Sequence, residues 1–147
     1  MTRSTKRTLR WHPLRITDPV YGVEYIVLWN VKNTTEEALA VIQYVESTFI
    51  YKVKPEDVEH FTIGDKSACT TSFGRGMILI QFGHQTYPGV SSLVHEALHA
   101  MMSVFTWRGV HLNGDDDEHG AYYLGWLCKA ITEQGHKYDL WGGQHDR

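Results

Sequence analysis

The chain has 147 residues, 42% of them hydrophobic and 12% aromatic, which suits one domain with a buried core and excludes a disordered polypeptide. A formal charge of -3, from 14 basic and 17 acidic side chains, removes nucleic acid and anionic membrane surfaces from the expected partners. No run reaches the roughly 18 apolar residues of a membrane-spanning helix, and Cys69 and Cys128 form no CxxC pair, so a soluble cytoplasmic protein with free thiols is expected.

Residues 1–12 carry Arg3, Lys6, Arg7 and Arg10 with no acid and no following apolar run, and read as a loose basic arm on a single domain spanning 1–147. Residues 20–29, VYGVEYIVLW, are β-branched and aromatic and predict a central strand. Thr34 and Glu37 have capping-box spacing, and Ala38, Leu39, Val41, Ile42 and Val45 continue at helical spacing to Phe49. Beyond them, Pro55 bars a long helix, and a short strand is expected near His60 to Ile63. Residues 68–73 and 77–82 form a hairpin pattern around Gly74, Arg75 and Gly76. A helix is predicted from Gly89 to Trp107, stopped by Gly109 and apolar on nearly every side, hence a core helix. A second helix, capped by Asp115 or Asp116, should run to about Glu133.

Histidine is the outlier. Of the nine in the chain, His84, His95, His99, His111 and His119 fall in one quarter of it. His95 and His99 are four apart in VHEALHA, so a helix presents both imidazoles on one face, as a bidentate clamp for a metal ion. Glu96 is rotated about 100° from His95, beside such an ion instead of on it. This is the HExxH arrangement, in which the metal acidifies a water and the glutamate takes the proton. A catalytic zinc commonly uses a third protein ligand, and the downstream candidates are His111, Asp115 to Asp117, Glu118 and His119. Phe105 and Met102 stand where metzincins carry histidine and glycine, which excludes that class.

HExxH followed after 18 intervening residues by Glu118, in DEHGAYYLGWL, resembles the gluzincin layout, and more closely small phage-encoded metallopeptidases with an HExxHA and DExxAYxxGY pattern. The similarity covers Arg75 to Lys129. It implies His95, His99 and Glu118 as ligands of Zn2+, Glu96 as general base, and Met77 to Phe82 as an edge strand that binds an extended peptide. Glu118, Ala121, Tyr122 and Gly125 share one helix face, whose small members would allow close approach to the HExxH helix. Tyr122 stands where larger gluzincins carry an aspartate, and its hydroxyl could orient a ligand imidazole. The HG pair at 119 and 120 also resembles SprT-like proteases, with His119 as the competing third ligand. For the oxyanion, His84, Tyr87, His111 and Tyr123 remain open.

The expected fold is α+β and zincin-like: a small mixed sheet, the HExxH core helix and a second ligand-bearing helix. The expected function is zinc-dependent hydrolysis of a peptide or protein substrate, in the host cytoplasm for a phage protein. A zinc amidase acting on cell-wall peptides and a metal-stabilised, non-catalytic binding or assembly protein are the alternatives.

Overall fold

The computed structural model describes residues 11–84, 89–115 and 117–140. They form a mixed α+β fold around a four-stranded sheet of β1 (Leu14–Thr17), β2 (Glu24–Val31), β3 (Ala68–Phe73) and β4 (Met77–Gly83), in the order β1-β2-β4-β3. Strand β2, Glu24–Val31, is interior as its apolar sequence requires, pairing antiparallel with β1, Leu14–Thr17, and parallel with β4, Met77–Gly83. Side chains alternate between two cores. Tyr25, Val27 and Trp29 face one side with Ile78, Ile80 and Phe82 of β4, while Ile26, Leu28 and Leu79 face the other. Both faces of the sheet are therefore covered by other elements, which is why these strands read as nearly continuous apolar runs.

Helix α1, Thr35–Phe49, lies in the connection that leads from β2 to the strand over residues 68–73, and it covers the second face with Val41, Ile42 and Val45. Thr34 caps it, accepting from the Glu37 N–H at 3.0 Å. The reciprocal half of the capping box is replaced: the Glu37 carboxylate accepts from the Trp11 indole at 2.9 Å and from the Lys32 N–H at 3.0 Å. Trp11 is 1% exposed and its carbonyl accepts from the Trp29 N–H. The basic arm expected over residues 1–12 thus ends in an anchored core residue, and residues 1–10 lie outside the described residues.

The strand expected near His60 is instead the end of a 3₁₀ helix, Pro55–Phe61. Pro55 starts it with a φ already suited to the turn, and Phe61 ends it buried, 5.0 Å from the Phe73 ring. The hairpin follows as expected. Strand β3, Ala68–Phe73, pairs antiparallel with β4, and Gly74 and Arg75 both take positive φ in the turn. The edge assignment reverses: β4 is interior, between β2 and β3, and β3 is an edge strand, as β1 is on the other side of the sheet.

Helix α2, Val90–Arg108, contains the HExxH residues and ends at Gly109 in the left-handed conformation. Arg108 ties its C-terminus to two turns at the end of the sheet, donating to the Tyr21 carbonyl at 3.1 Å and the Arg75 carbonyl at 3.2 Å. Helix α3, Glu118–Lys137, starts at Asp117 with no side-chain cap bond, later than the Asp115 or Asp116 expected, and continues past Glu133. Tyr123, Leu127 and Ile131 bury its inner face against the sheet and α2. No helix among the described residues is long and apolar enough to cross a membrane.

Candidate metal centre

Strand β3 alternates Cys69, Thr71 and Phe73 on one face with Ala68, Thr70 and Ser72 on the other. The first set faces α1 and the 3₁₀ helix, where Cys69 and Phe73 join the core and Thr71 donates to the His60 carbonyl. The second set is small or polar and lies under α2, leaving a groove of about 450 Å³. Its other wall is one face of α2, carrying His95, Glu96, His99 and Ser103. Two side-chain hydrogen bonds join the walls: Thr70 Oγ1 donates to Glu96 Oε1 at 2.7 Å, and Ser103 Oγ donates to Ser72 Oγ at 3.1 Å.

The three HExxH residues converge here. His95 Nε2 and His99 Nε2 are 3.2 Å apart, and Glu96 Oε2 is 4.0 Å from His95 Nε2. Both imidazoles are exposed, whereas Glu96 is 6% exposed. Two zinc–nitrogen bonds of about 2.0–2.1 Å at a tetrahedral angle hold their nitrogens about 3.3 Å apart, so the imidazole pair fits the bite of such an ion. At the same separation, the pair can alternatively share one N–H proton.

The other predicted site residues are not gathered here. Among the described residues no three His, Cys, Asp or Glu side chains form a metal-holding group, so neither Glu118 nor His119 joins His95 and His99. Glu118 is exposed at the first turn of α3 and Tyr122 is 74% exposed on the same face. The expected close approach through Ala121 and Gly125 is not made, because both are exposed and a Cβ at Gly125 would meet nothing within 4 Å. The tight spot is Gly120, where a Cβ would lie 2.7 Å from Leu112. Burial of Tyr123, Leu127 and Ile131 is what turns the Glu118 face outward, since it sets the rotation of the whole helix. His119 stacks on Phe105, with Nε2 3.2 Å from the His111 carbonyl oxygen.

Nor is α2 a core helix on all sides. Val94, Leu98 and Met102 are 38%, 44% and 52% exposed beside the histidine face, because α3 packs on α2 near Phe105, towards the C-terminal end. Among the oxyanion candidates, Tyr123 is engaged elsewhere, donating to Asp18 Oδ2 at 2.8 Å and sharing a hydrogen bond with the Tyr25 hydroxyl. His84 lies against Asn30 Oδ1 at 2.8 Å, and Tyr87 falls outside the described residues. Both cysteines are free, and burial pushes both thiols up, which keeps them unreactive.

Thr70, Ser72 and Ser103 escaped the sequence reading. The signal for Thr70 and Ser72 is the period of two in ACTTSF, where one strand face is Ala, Thr, Ser beside the aromatic-bearing other face, and the signal for Ser103 is its place four residues after His99 on the same helix. No family model, no curated protein and no solved structure matches the chain.

Proposed function

We propose that the protein is a zinc-dependent peptidase whose site is the groove between α2 and the edge strand β3. The observation that carries this reading is the convergence of His95 Nε2, His99 Nε2 and the Glu96 carboxylate on one open groove, with the two nitrogens 3.2 Å apart. His95 and His99 would hold the ion. Zinc bound there would supply Lewis acidity towards a substrate carbonyl and towards water. Glu96 would accept the proton of the attacking water at Oε2 and return it to the departing amine. The free edge of β3 would take an extended peptide by strand addition, which gives the groove a zincin-like layout and favours a peptide over a compact small molecule.

Zinc analysis and one substitution test this. The purified chain is expected to take up one zinc, and Glu96→Gln to keep it while hydrolysis of labelled casein falls at least about 100-fold. Zinc uptake below about a tenth of an equivalent after supplementation would reject the metal site. Among the described residues only His95 and His99 pair as ligands at the groove, and a metal-stabilised binding protein is the second reading. Zinc would then raise the melting temperature, and neither the natural chain nor Glu96→Gln would cleave casein.

A further inference from the structure

We infer that Thr70 is the positioning residue for Glu96, an inference that rests on the peptidase reading. A glutamate side chain has three rotatable bonds, and a carboxylate that must meet a water at one place gains from being held. Here the holder comes from another element. Thr70 Oγ1 donates to Glu96 Oε1 at 2.7 Å and lies 3.2 Å from the Glu96 main-chain oxygen. It has one proton, and the shorter contact, to a carboxylate, receives it as a charge-assisted bond.

Thr70 is itself well fixed. It pairs with Ile80 of the interior strand β4, and its β-branched side chain has few rotamers. The sheet therefore reaches across the groove to one oxygen of the base and leaves the other, Oε2, on the histidine side, 4.0 Å from His95 Nε2. Division of labour between the two oxygens follows: Oε1 is occupied by the threonine hydroxyl, and Oε2 has open lone pairs to take a proton. Valine at 70 would keep the shape and lose the donor. Serine would keep the donor and lose the methyl.

Two measurements test the inference. The first needs no activity: urea unfolding of Thr70→Val, Glu96→Ala and the double variant forms a mutant cycle. The expected coupling is at least about 5-fold in the unfolding equilibrium constant; a coupling below about 2-fold would overturn the contact. The second uses the zinc-loaded chain and labelled casein. Thr70→Val should lower kcat at least about 10-fold with KM and zinc affinity within about 2-fold, and Thr70→Ser should return kcat to within about 3-fold of the natural chain. Equal kcat in the valine variant, or loss in the serine variant as deep as in valine, would overturn the positioning role. A natural chain that cleaves nothing would reject the peptidase reading, while the mutant cycle would still decide whether Thr70 holds Glu96.

Discussion

At the scale of single residues, His95 and His99 differ from Glu118 in what surrounds them. The two imidazoles face each other across 3.2 Å, whereas the Glu118 carboxylate belongs to an exposed helix face. We expect His95→Ala and His99→Ala each to weaken zinc binding at least about 10-fold, and Glu118→Ala to change it less than about 3-fold, in titrations against a competing chelator. A 10-fold loss on Glu118→Ala would show that α3 turns to bring its carboxylate to the ion. A second residue-scale prediction concerns Asp18, which is 1% exposed and accepts from the Val20 and Tyr21 N–H groups through Oδ1 and from Tyr123 through Oδ2. Tyr123→Phe leaves Oδ2 without that donor and should cost about 1–3 kcal/mol in urea unfolding. Tyr25→Phe leaves Asp18 fully bonded and should cost less. Burial pushes both phenols well above the usual tyrosine range. Their contribution to stability is therefore complete below about pH 10 and declines above it, as the unfolded chain ionises and the folded chain does not.

At the scale of elements, the helix ends show where local sequence and local geometry agree. Gly109 suits the left-handed C-terminal position of α2, with φ 68°. Helix α1 ends at the same kind of position with Ile50, at φ 52°, ψ 50° and 94% exposed. A β-branched residue there is strained, and its side chain buries nothing to offset the strain. Ile50→Gly is expected to stabilise the protein by about 1 kcal/mol, seen as a higher urea midpoint with an unchanged slope. A lower midpoint would mean that Ile50 has contacts which outweigh its backbone conformation.

At the scale of the whole molecule, one sheet serves two cores. Phe61 and Leu127 lie on opposite sides of it, and interior strands β2 and β4 contribute side chains to both. Losing either core would expose one face of the shared strands, so the two sides should unfold together. Phe61→Ala and Leu127→Ala, at sites 2% and 0% exposed, are each expected to cost about 2–5 kcal/mol. Each should shift a single transition on which near-ultraviolet and far-ultraviolet circular dichroism coincide. Separate transitions would show that the layers on the two faces unfold independently.

The sequence by itself determined the local units: the Thr34 cap, the hairpin over residues 68–82, the span and stop of the HExxH helix, and the placing of His95, Glu96 and His99 on its one face. These depend on backbone preferences and on spacings of three or four residues, which a linear chain displays directly. Tertiary structure decided which strand is an edge, how α3 is rotated, and what stands opposite Glu96. The edge position depends on β2 pairing with β4 across 53 residues, from Glu24 to Met77, a choice that no short pattern records. The rotation of α3 was set by burying Tyr123, Leu127 and Ile131, which turned Glu118 and Tyr122 to solvent although their spacing had suggested an inward face. Thr70 meets Glu96 across 26 residues of chain only because β3 pairs with β4 beneath α2. Contacts of that kind follow from the packing of whole faces, where the gain from burying apolar surface outweighs the preference of any one residue.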